Sequence, residues 1–133
     1  MLDFLSLIFI ETFINGCVFM CIKMISKEDV IEINMVFDIG KIINEGSLDF
    51  ALSSLKKTKD WLKQVSYLVR AVLIDHVFEE GNKRTATALI MSVFENQKIA
   101  YDPRKVDEVV IEIIIKNINN INKIRSLIKN ATR

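Results

Sequence analysis

One short run, His76-Val77-Phe78-Glu79-Glu80-Gly81-Asn82-Lys83-Arg84-Thr85-Ala86, gathers residues that could do chemistry together. It holds the only histidine of the protein, a carboxylate pair, a glycine, and Asn-Lys-Arg where an apolar helix begins. Amide hydrogens at a helix N-terminus, with two cations beside them, make an anion site, and a neighbouring carboxylate can hold a divalent metal. A neutral imidazole close by can accept a proton from an attacking hydroxyl. Phe78, an aromatic inside a polar run, would pin the loop to a core. The chemistry so described is a phosphate site with a base next to it. The plainer alternative makes His76 a packed or capping residue, Glu79 and Glu80 solvated loop charges, and Gly81 an ordinary turn. It leaves Lys83 and Arg84 unexplained, because positive charge opposes the dipole at a helix N-terminus. A bound anion supplies the reason.

The elements around this run read as helices. Ser26-Lys27-Glu28-Asp29 has the form of a capping box, and Val30, Ile33 and Phe37 follow at helical spacing up to Gly40. Glu45-Gly46 reads as a turn, after which Ser47 would cap a short helix carrying Leu48, Ala51, Leu52 and Leu55. Lys56-Lys57-Thr58-Lys59-Asp60 reads as a solvated corner. Trp61 to Asp75 carries Trp61, Val65, Leu68 and Val72 on one broad stripe and is expected as a long buried helix. A second apolar run, Ala86 to Phe94, follows the glycine loop. Asp102-Pro103 is a helix start, with Asp at the cap and Pro in the first turn. The β-branched run Val109–Ile115 beyond it could by propensity alone form a strand. The Asn-rich stretch Asn117–Asn122 breaks the pattern, and Ile124–Ile128 closes with a small amphipathic helix. No internal repeat is present. The expected architecture is all-α, with the polar loop between the two most apolar helices.

Composition sets the outer bounds. At 133 residues, 50% hydrophobic and 26% charged, the chain is long enough for one domain with its own core. A net charge of +1 argues against duplex nucleic acid as a main partner. Cys17 and Cys21 have no Cys or His companions at metal-site spacing and read as buried thiols of a reducing, cytoplasmic compartment. Residues 1–24 are apolar on nearly every helical face, but Glu11 interrupts them and Asn15-Gly16 signals a turn. A membrane span needs about 20 largely uncharged residues, so Glu11 counts against one. Three readings stand: a helix buried against the domain, a weak anchor, or upstream sequence ahead of a start at Met24.

The run His76 to Arg84 resembles the signature of the Fic/Doc family, a His-x-Phe-x-acid-Gly/Ala-Asn-Gly/Lys-Arg pattern lying between two helices. Glu45-Gly46-Ser47-Leu48-Asp49-Phe50-Ala51-Leu52 is similar to a Gly-Leu-Leu-Glu-x-Ala-Leu stretch of Doc-like toxins, and the Ile121–Ile128 helix resembles their last element. The likeness runs from about Ile25 to the end, so residues 25–133 are expected to form a compact helical Fic/Doc domain.

The resemblance implies transfer of part of ATP, bound with Mg²⁺, to a hydroxyl of a protein substrate. It makes His76 the general base, Glu80 the Mg²⁺ ligand, and Asn82 the holder of a phosphate oxygen. Arg84 would pair with the phosphate chain as a fork, Gly81 would let the backbone approach it, and Phe78 would anchor the loop. Lys83 points within the family. Members that transfer AMP usually carry glycine there, whereas Doc-like members carry lysine and transfer the γ-phosphoryl group, in one case to a translation elongation factor. Kinase chemistry is therefore the expectation, with adenylyl transfer and a catalytically silent interaction module as alternatives. The family's target-holding flap would fall at Ser53–Asp60, where the stretch is brief and lysine-rich. Its inhibitory Ser/Thr-x-x-x-Glu-Gly/Asn segment is approached only by Lys41–Gly46, which starts with lysine. Control by a separate antitoxin is the corresponding expectation.

Overall fold

The computed structural model describes residues 25–133. Among these there are α-helices and no strands: α1 (Lys27–Met35), α2 (Glu45–Leu55), α3 (Trp61–Leu73), α4 (Asn82–Asn96), α5 (Pro103–Lys116) and α6 (Ile121–Lys129). Residues 1–24, for which a buried helix, an anchor and a late start are the expectations, lie outside the described part. No helix of the described residues is long and apolar enough to cross a membrane.

Helix starts follow side-chain capping, which satisfies amides that have no partner inside the helix. At α1 the capping box forms in both directions: Asp29 N donates to Ser26 Oγ at 3.1 Å, and Ser26 N donates to Asp29 Oδ2 at 2.9 Å. Asp102 Oδ1 accepts from Arg104 N at 3.0 Å, with Pro103 in the first turn. Two expectations shift. Glu45 and Gly46 are the first helical residues of α2, not a turn, because Asn44 rather than Ser47 is the cap and accepts from Ser47 N at 3.3 Å. Helix α1 ends at Met35 rather than running to Gly40, since Phe37 N and Asp38 N both turn back onto the Asn34 carbonyl.

The core is built around α3, which packs against α2, α4 and α6 and touches α5. Its Val65, Leu68, Val69 and Val72 are almost wholly buried, and the one polar residue of that face, Ser66, donates to the Leu62 carbonyl at 2.7 Å. Phe94 of α4 meets the Trp61 ring edge-on at 5.9 Å and stacks on Tyr101 at 5.3 Å. The run Val109–Ile115 is helical, so the strand alternative falls. Val106, Val109, Val110 and Ile113 recur at helical spacing and are buried together, and Asp102-Pro103 caps the start of the helix.

Asp60 is more than the end of a solvated corner. It caps α3 by accepting from Leu62 N at 3.0 Å and Lys63 N at 3.3 Å, and its other oxygen accepts from Arg125 Nε of α6 at 2.7 Å. Partial burial pushes its carboxyl pKa up, but the Arg125 hydrogen bond, the two amides and the guanidinium charge outweigh this and hold it below the ordinary 3.8. A depressed folded-state pKa adds stability that is present above about pH 4 and disappears as pH falls through the lower folded value. Asp60→Ala is therefore expected to lose about 1–2 kcal/mol of stability at neutral pH. Asp60→Asn keeps an acceptor for the cap, and its urea midpoint should fall less steeply than wild type between pH 5 and 2. Parallel acid profiles would show that the pair contributes nothing.

Candidate functional site

The signature run occupies the turn from α3 into α4. Helix α3 stops at Leu73, and His76 then takes a left-handed backbone (φ 52°) with its side chain exposed. Non-glycine residues rarely hold that conformation without support. Support comes from residues 43 and 44. Asn44 Nδ2 donates to the Asp75 carbonyl at 2.9 Å, while Ile43 N and Asn44 N donate to the Val77 carbonyl at 2.8 and 3.2 Å. The Asp75 and Val77 carbonyls, one before and one after His76, are thus held by one neighbouring segment.

Val77 and Phe78 then dive into the core, both at 0% exposure. Phe78 forms an antiparallel bridge with Ile42, and Glu79 N donates to the Lys41 carbonyl at 3.0 Å. The Phe78 ring is thus buried in the core while its backbone pairs with Ile42. Asn82 closes the loop from the other end: Oδ1 accepts from Phe78 N at 3.1 Å and Nδ2 donates to the Phe78 carbonyl at 2.8 Å. An amide nitrogen has two hydrogens, and one N–H of Asn82 is used in this bond. Two residues span at most ~7 Å of chain, so His76 stands at the rim of this closed loop.

Gly81 has φ +78°, and a Cβ there would lie 3.0 Å from Asn34 Nδ2 and 3.3 Å from Asp38 Cβ. Both the conformation and the space demand glycine. Gly81 is also the N-cap of α4, and it supplies no side-chain cap. The first-turn amides of α4 therefore lack a side-chain acceptor, and exposed Lys83 and Arg84 flank them without an ion-pair partner among the described residues. Free amides, a positive dipole end and two unpaired cations coincide at one helix terminus.

The two carboxylates differ. Glu79 lies 3.5 Å from Lys41 Nζ, whereas exposed Glu80 has no cation partner among the described residues. No group of three or more His, Cys, Asp or Glu side chains among the described residues could cage a metal. A single free carboxylate suits Mg²⁺, which keeps several waters and is commonly held by one or two carboxylates together with nucleotide phosphates. The described residues thus offer one free carboxylate here and no closed protein site for a metal.

The side chains of Asn34, Asn44 and Thr85, outside the signature, help hold it in place. Sequence reading missed them, although Asn34 left a trace, since it falls one turn after Val30 on the buried stripe of α1. Segment 41–44 runs beside the signature, and Ser53–Asp60 forms the end of α2 and the cap of α3. No protein-family model, curated protein or solved structure matches the chain.

Proposed function

We propose that this chain is a Doc-like protein transferase with the Fic/Doc fold, moving the γ-phosphoryl group of ATP to a serine or threonine hydroxyl of a target protein. The observation that carries the reading is the start of α4: a left-handed glycine with no side-chain cap, followed by unpaired Lys83 and Arg84, with His76 at the other end of the same loop. His76 takes the hydroxyl proton as the oxygen attacks the γ-phosphorus. The bond from that phosphorus to the bridging oxygen breaks, and ADP leaves. Lys83 and Arg84 draw the phosphate chain towards the amides of the α4 N-terminus, Arg84 as a planar fork. Glu80 would hold Mg²⁺, which when bound supplies neutralisation of the phosphate charge. Positioning and charge neutralisation are most of what phosphoryl transfer requires. By the same analogy the chain is a toxin whose target is a translation factor and whose partner is a separate antitoxin.

Incubation of the protein with cell lysate and ATP labelled at the α or γ position tests the reading. Label transferred only from the γ position supports it. Label only from the α position makes the chain an adenylyltransferase, and transfer from neither makes it a silent interaction module. Lys83 should decide between the first two, because its ammonium fills space beside the terminal phosphates. Lys83→Gly is expected to raise the α-to-γ label ratio by about tenfold, the effect of roughly 1.4 kcal/mol between the two transition states. An unchanged ratio would remove Lys83 from the account.

A further inference from the structure

We propose that Asn34, on the last turn of α1, is a positioning residue that aims the anion-binding amides of the signature loop, an inference that rests on the transferase reading for its functional consequence. Asn34 is fully buried at 0% exposure, and its amide bonds to three separate places. Its Oδ1 accepts from Gly40 N at 2.8 Å, and its Nδ2 donates to the Glu80 carbonyl and to Thr85 Oγ1, both at 3.0 Å. Thr85 Oγ1 passes the linkage on by donating to the Gly81 carbonyl at 2.7 Å.

The consequence follows from peptide geometry. No peptide bond of the described residues is cis, and in a trans peptide the N–H points opposite to the C=O. Holding the Glu80 carbonyl towards Asn34 turns the Gly81 N–H the other way. Holding the Gly81 carbonyl towards Thr85 does the same for the Asn82 N–H. Asn34 therefore sets the direction of the Gly81 amide directly and contributes to that of the Asn82 amide through Thr85, whose own N–H also holds the Gly81 carbonyl at 2.9 Å. The tight approach of Nδ2 to the Gly81 backbone, where a Cβ would lie only 3.0 Å away, belongs to the same arrangement. Helix α1 is in this sense part of the site.

The substitutions that separate positioning from mere stability are Asn34→Asp, Thr85→Val and Thr85→Ser. Aspartate keeps the acceptor for Gly40 N but loses both donors, valine keeps the shape of Thr85 without its hydroxyl, and serine keeps the hydroxyl. Amide hydrogen exchange on the full chain is read first, because it does not depend on activity. Peptides covering 79–85 are expected to exchange faster in Asn34→Asp and Thr85→Val, while α3 keeps its protection and Thr85→Ser behaves as wild type. In the transfer assay the KM for ATP in excess Mg²⁺ should rise about tenfold or more, with the KM for target protein unchanged. Should Asn34→Asp not fold, Thr85→Val carries the test alone. Unchanged exchange over 79–85, or a loss of activity with the ATP KM intact, overturns the inference. If wild-type protein neither binds nor uses ATP, the transferase reading fails, and the exchange data still decide whether Asn34 aims the loop.

Discussion

His76→Ala is expected to lower label transfer from ATP by between 10² and 10⁴, the range for loss of a positioned general base. Binding of ATP with Mg²⁺ should change little, because the amides, cations and Glu80 that would hold it are untouched. Stability should change little too, since the side chain is exposed and only the backbone of this turn is gripped by its neighbours. His76→Asn is the useful companion, as asparagine tolerates the left-handed backbone but is no base. Transfer time courses, with calorimetric titration of Mg-ATP, measure both effects. Either variant transferring label at the wild-type rate would remove His76 as the base, and a variant that retains the full biological effect without transfer would identify the chain as a binding module instead.

Phe78→Ala carries the largest expected effect on folding. The ring is wholly buried, and removing a buried phenylalanine side chain typically costs about 3–5 kcal/mol. The melting temperature should fall by on the order of 10 °C in a domain of this size. Transfer should be lost with it, because without the ring nothing holds in the core the backbone to which Asn82 closes the loop. Phe78→Leu should lose less stability and retain measurable transfer. Urea unfolding followed by fluorescence of the single tryptophan is the direct measurement. A loss below about 1 kcal/mol for Phe78→Ala, far short of cavity formation, would show that the loop is not anchored through this ring.

How far the chain could be read in advance depended on the range of the forces involved. Ser26 and Asp102 announce their helices because a cap acts on amides only two or three residues away. The choice between Asn44 and Ser47 went the other way because both residues can cap and the competition is settled outside the segment. Asn44 is also held by the Asp75 carbonyl, 31 positions along the chain. Asp60 looked like one more charge in a lysine-rich corner, and only the approach of Arg125, 65 positions away, makes it a link between α3 and α6. The end of α1 at Met35 has a similar origin, since the Asn34 side chain draws in Gly40 and the chain behind it turns.

For the candidate site, the residue types from His76 to Arg84 and their order were set by the primary structure, as were the helices on either side. Side-chain chemistry and helical periodicity are local properties, and they survive being read in one dimension. What the tertiary structure alone decided is which groups are free and which are committed. Asn82 is drawn into the loop, Glu79 leans towards Lys41, and Glu80, Lys83 and Arg84 have no ion-pair partner among the described residues. Those outcomes hang on Asn34 and on segment 41–44, brought to the loop by the folded chain from 31 to 51 positions away. Only chain folding sets such distances, so no spacing rule could have foretold them.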